Sequence, residues 1–182
     1  MSFDDDAVKI GRFRSLDYFG DGSFYLLHTP GHTNRTHMCA LARTGNSGEG
    51  EFVLLGGDVA HHVGELRPSA WLVLPEKVVV DENSEEREYK RDELVQIHRN
   101  KSADSPFFVP ADGLPDDMDD ALWSIAGVQE LDAHHNIMTL LAHDKSLLDM
   151  LPTFPEALNE WTGKDLKRRI TWQFLGKIQS GG

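Results

Sequence analysis

The sequence predicts a layered domain of mixed helix and strand, α/β or α+β. Three observations carry that expectation. Short apolar runs bounded by turn residues recur at 23–28 (SFYLLH), 36–44 (THMCALART) and 51–58 (EFVLLGGD), each of strand length. The Gly-rich link GNSGEG at 45–50 suits an antiparallel hairpin between the second and third runs. A helical stretch at 117–134 then precedes a fourth apolar run, NIMTLLAHD at 136–144.

Taken in order, the first strand ends at His28, because Pro30-Gly31 does not continue a regular element. Pro fixes φ and Gly supplies φ > 0, which fits the centre of a type II turn and re-aims His32. Cys39, inside the second strand, is read as a small buried core residue. After Asp58, residues 59–80 carry scattered prolines and no clean period, so an irregular loop plus a short strand is expected. Residues 84–100 (SEEREYKRDELVQIHRN) are rich in charged helix formers and read as a helix capped by Ser84. Turn chemistry fills 102–117. The helix at 117–134 opens on an acidic turn that suits the helix dipole. Leu122, Ile125, Ala126, Val128 and Leu131 form its expected buried stripe, with Trp123 at the edge. PEALNEWT (155–162) reads as a helix opening at Pro155, and KDLKRRITWQFL closes the chain. The core order is three strands, two helices, one strand and a helix.

Composition bounds the function. The 182 residues suit one domain spanning 1–182, and the formal net charge of −12 opposes nucleic-acid binding, which depends on Lys and Arg neutralising phosphates. The single cysteine excludes an internal disulfide and a zinc ribbon. The acidic N-terminus has no apolar signal core, and no run approaches the ~20 apolar residues of a membrane span, so a cytoplasmic chain is expected. There is no G-x-S-x-G elbow, P-loop, G-x-G-x-x-G or H-E-x-x-H.

One regularity carries chemistry. The run at 24–28 leads through its turn to His32, EFVLLGG leads to Asp58, and IMTLLA leads to His143. Ligands in layered α/β proteins gather beyond strand ends, and imidazole with carboxylate is a donor set of Zn²⁺ and Fe²⁺. Gly56-Gly57 lets the backbone approach closely before Asp58. Spacing by itself leaves hydrogen-bonded loop histidines and a turn aspartate as equal readings.

HTPGHT with LLGGD downstream and LAHD near the end resembles the metallo-β-lactamase superfamily, and within it lactonase-like fungal members. The resemblance runs from about residue 17 to about 175. It implies half of an αββα sandwich, the C-terminal half, as a mixed sheet with packed helices. It also implies His32 on one zinc, Asp58 bridging two and His143 on the second. Full-length relatives use a zinc-bridging hydroxide on an ester, lactone or amide carbonyl.

The match is incomplete. The family's H-x-H-x-D-H motif is absent: none of the nine histidines stands two from another. Each ion would keep one private ligand plus Asp58, where catalytic zinc normally takes three. The expectation is therefore one loosely held Zn²⁺ and impaired turnover of a small ester or lactone, the alternative being a non-catalytic half-domain that serves as a binding or structural module. His37 comes five residues after His32, one later than the family's spacing, and is read as structural. Of the adjacent His61 and His62 at most one can face the site, as a replacement ligand or a supporting residue, a surface position being the alternative. The His134-His135 pair is expected in solvent. Asp144 either supports the site or caps the segment after it. A sheet lacking half its sandwich would leave an apolar face uncovered, favouring a homodimer.

Overall fold

The computed structural model describes residues 8–33, 37–45, 50–82, 85–148 and 150–179. A six-stranded mixed sheet dominates it. Strands β1 (Val8–Ile10), β2 (Phe13–Asp17), β3 (Phe24–His28), β4 (Met38–Gly45) and β5 (Glu51–Gly57) follow one another as antiparallel neighbours. The last strand, β8 (Ile137–Leu141), lies parallel to β5 at the sheet's edge. A parallel neighbour needs a long crossover. Here the crossover contains a separate hairpin of β6 (Lys77–Glu82) and β7 (Glu85–Lys90), then α1 (Arg91–Ile97) and α2 (Met118–Asp132). Two short helices, α3 (Leu166–Ile170) and α4 (Leu175–Gln179), end the described chain. The fold is α/β with a mixed sheet, as expected of a half domain.

Alternation gives the large sheet two different faces. One carries Phe13, Leu27, Cys39, Leu41 and Leu54 into the main core, where Ile125, Val128 and Leu131 of α2 meet them. Contact with α2 is close: a Cβ on Gly127 would sit 2.3 Å from the ring of Phe13. On the other face, Val53 and Met138 are covered by Leu147, Trp161, Leu166 and Ile170. Elsewhere on that face the described residues are only partly covered. Cross-strand register puts Leu16, Leu26, Ala40, Leu55 and Leu140 in one row, none of them fully buried and Leu55 45% exposed.

Several local expectations need correcting. Residues 85–90 are a strand, not the start of a helix; pairing with the β-branched run Val78–Val80 overrides their helical propensity. The helix begins at Arg91, where the Glu93 carboxylate accepts the Lys90 N–H at 3.0 Å; Ser84 lies outside the described residues. Residues 155–162 form turns. So short a segment gains little from helix propensity, and tertiary contact decides its path: Trp161, 1% exposed, packs into the second core cluster and Leu158 against it. β1 and β2 add two strands ahead of the expected order. In α2, Leu122 is 44% exposed and falls outside the buried face, which runs through Ala121, Ser124, Ile125, Val128 and Leu131. Trp123 lies at the edge as expected, its ring edge-to-face with Phe13 at 5.5 Å. Cys39 is fully buried. No helix among the described residues is long and apolar enough to cross a membrane.

Candidate metal centre

The turn after β3 is fastened from both sides. The buried Thr29 hydroxyl lies 2.9 Å from Nδ1 of His37, and the Ser124 hydroxyl of α2 donates to the Pro30 carbonyl at 2.7 Å. Gly31 adopts φ +111° against the start of α2, where a Cβ would come within 2.1 Å of the Ala121 nitrogen. Its carbonyl accepts the Asp117 N–H at 3.1 Å, and that of His32 accepts the Asp116 N–H at 3.3 Å. His32 thus projects from a turn with little freedom. Asp58 follows Gly57, a left-handed residue whose carbonyl accepts the Ala142 N–H at 3.1 Å. That bond ties the end of β8, and with it His143, to the end of β5.

The fold brings His32, Asp58 and His143 together. Nε2 of His143 lies 2.9 Å from one Asp58 carboxylate oxygen, and Nε2 of His32 lies 3.9 Å from the other. The first oxygen, Oδ1, is buried and has no hydrogen-bond partner, although the imidazole is so near. The carboxylate thus stands between two imidazoles, an arrangement of donor types that a divalent cation accepts. Donor atoms on one tetrahedral ion with bonds of ~2.0–2.1 Å stand ~3.3 Å apart, between the two distances seen. The donors converge pairwise on Asp58 and not on a single point: among the described residues no group of three or more His, Cys, Asp or Glu side chains is placed to hold a metal ion.

The adjacent histidines diverge. The His61 ring lies 4.9 Å from that of His32 and 6.0 Å, near-parallel, from that of His143. His62 turns away, accepts the Gly64 N–H on Nδ1 at 2.9 Å, and rests edge-on against Phe108 and Phe174. Alternation in sequence allowed at most one of them to face the site and did not say which. Burial, reinforced by His32, holds His37 below the ordinary imidazole value, so it stays neutral beside Thr29. Asp144 caps the turn at 145–147 by accepting the Ser146 N–H at 3.0 Å. His134 and His135 are exposed at the opposite end of β8 from His143. The sequence reading missed Glu65. It is 6% exposed, burial raises its carboxyl above the ordinary range, and its Oε2 has no hydrogen-bond partner. Its place in HHVGE, three residues after His62, was the available signal.

Comparison with known proteins decides the family. The metallo-hydrolase mfmC of Annulohypoxylon moriforme is 42% identical over 168 residues, 92% of this chain and 44% of its own length. The gamma-lactamase FDB1 of Fusarium pseudograminearum is 40% identical over 174 residues, 93% of this chain and 41% of its own length. The chain belongs to the metallo-β-lactamase superfamily. It spans less than half the length of these two relatives. A longer protein named as a cytochrome monooxygenase, mpaDE of Penicillium roqueforti, is 39% identical over 96% of this chain but only 18% of its own length. No family model matches the chain, and no solved structure matches it.

Proposed function

We propose that this chain supplies one side of a hydrolase metal centre, with His32, Asp58 and His143 as ligands of Zn²⁺ and an ester, lactone or amide carbonyl as the target. The observation that carries the reading is the Asp58 carboxylate standing between two imidazoles, with Nε2 of His143 2.9 Å from one oxygen and Nε2 of His32 3.9 Å from the other. A zinc ion bound there supplies Lewis-acid polarisation of a carbonyl and brings the pKa of a water toward ~7. The chain's own residues do the positioning. Gly31 and Ser124 fix the turn that presents His32, the Ala142–Gly57 bond sets His143 against Asp58, and neutral His37 buttresses Thr29. Three donors, one of them shared, leave positions for water or buffer and forgo most of the coordination energy of a closed site. By itself the chain therefore holds about one zinc ion weakly and hydrolyses lactones near the uncatalysed rate.

A second reading rests on the absence of a three-donor group among the described residues: a half-domain that serves as a binding or structural module without catalysis. A lactone and γ-lactam hydrolysis assay with added zinc tests the two. Slow turnover that needs zinc and is lost in Asp58→Ala fits the first. Metal-independent background in both proteins favours the second.

A further inference from the structure

β6 is an edge strand, paired with β7 and with no other strand among the described residues. Its free edge can be assigned. The Asp81 N–H points away from β7 and donates to Oε1 of Gln173 at 2.9 Å. Outward main-chain groups recur at every second residue of an antiparallel ladder, so Val79 and Lys77 present their N–H and C=O groups to this same edge. Beside the edge lies a cavity of about 730 Å³, lined by Lys77, Val79 and Asp81 on one side and by Arg168, Trp172 and Gln173 on the other. Val79, at the centre of the edge, is 47% exposed. An open edge of this kind is a template for another strand.

Charge selects the occupant. An antiparallel pairing centred on Val79 sets Val79 against itself and places Lys77 opposite Asp81 of a second copy at both ends, so the edge is its own complement. Opposite charges directly across a ladder stabilise it, and like charges weaken it. Within one copy, Asp81 stands across from Glu86, a like charge, while the Lys77 ammonium reaches Glu88 at 2.9 Å from a side chain 63% exposed. Pairing gives Asp81 the cation that its own hairpin does not place opposite it.

We propose that two copies of this chain join β6 to β6 about a two-fold axis at Val79, making a four-stranded sheet in the order β7–β6–β6–β7. The Asp81 N–H then exchanges the Gln173 amide oxygen for the Lys77 carbonyl of the second copy. This surface is separate from the partly covered aliphatic row of the large sheet.

Sedimentation velocity over a wide range of protein concentration reads the association. The wild-type chain converts from monomer to dimer. Asp81→Lys sets two lysines face to face at both ends and raises the midpoint concentration about tenfold. The same substitution places a cation across from Glu86, so the folded monomer is not weakened, which circular dichroism and the melting midpoint check. The double variant Lys77→Asp with Asp81→Lys restores complementarity and brings the midpoint back. A wild-type monomer at every concentration overturns the proposal, as does a dimer indifferent to Asp81→Lys or a natively folded double variant that stays monomeric. A dimer dispersed by Leu55→Lys but not by Asp81→Lys puts the contact on the large sheet and also overturns it.

Discussion

Replacing Arg67 with methionine should cost this protein a large part of its stability, and the structure says why. The side chains of Arg67 and Asp132 are 3% and 1% exposed. Nε and one terminal nitrogen of the guanidinium donate to the two carboxylate oxygens at 2.7 Å each, and the other terminal nitrogen donates to the Thr171 carbonyl at 2.8 Å. Three segments meet in this arrangement: the loop that carries His61, the end of α2 and the C-terminal stretch. Removing the cation leaves a buried carboxylate, a loss of ~3–5 kcal/mol against a total stability of ~5–15 kcal/mol. Urea unfolding at pH 7 measures it as a lower midpoint at unchanged slope. The pH dependence gives the mechanism a second test. Burial opposes the ionised carboxyl of Asp132, but the charge and hydrogen bonds of Arg67, together with smaller contributions that include the Lys167 charge, outweigh it and hold the group below its ordinary 3.8. The native carboxyl binds its proton less tightly than the unfolded one, so this stabilisation is complete above about 3.8 and is lost as pH falls through the lower native value. In the variant, burial acts without Arg67 and the carboxyl moves upward, so its penalty is present at neutral pH and eases in acid. The difference between the two proteins is therefore largest near neutrality and shrinks toward pH ~4. A loss below ~1 kcal/mol at pH 7, or a difference that grows in acid, would refute the reasoning.

Other substitutions probe how the site is held. Gly31→Ala puts a Cβ onto the α2 backbone at a left-handed φ of +111°, where neither partner can yield. It should cost ~3 kcal/mol or more by denaturant unfolding, and a near-neutral result would mean that the turn does not lie against α2. Ile125→Ala should lower stability by ~2–5 kcal/mol, whereas Leu122→Ala, at an exposed position, should stay within ~1 kcal/mol; thermal melts of the pair reveal whether the buried face of α2 is correctly assigned. His37→Ala should leave zinc binding nearly intact in equilibrium dialysis, because its ring is engaged with Thr29.

The strands that matter to the site were legible because each is a short apolar run stopped by a turn residue: His28 before Pro30-Gly31, Gly57 before Asp58, Leu141 before His143. Their hairpin and parallel pairings follow from the connections, five residues in one case and a long crossover in the other. β7 was not legible, since Glu85–Lys90 carries helix-forming side chains and becomes a strand only by pairing with Val78–Val80. β1 and β2 are short and polar-rich, and Phe13 and Ser15 are buried only through tertiary contact. Leu122 misled because a stripe of threes and fours does not say which side of the helix meets the sheet. At the site, strand ends pointed to His32, Asp58 and His143, while the choice of His61 over His62 depends on the His62–Gly64 cap, which sequence spacing does not reveal.

The central claim is that Asp58 is the shared anion of a partial metal site. Zinc titration of the dialysed chain by isothermal calorimetry, with Asp58→Ala measured alongside, addresses it most directly. The account predicts weak binding of about one ion per chain in the wild type and none in Asp58→Ala, since the carboxylate is the only negative charge among the three donors. Binding that survives Asp58→Ala unchanged, or two ions held tightly by the wild-type chain, would contradict it.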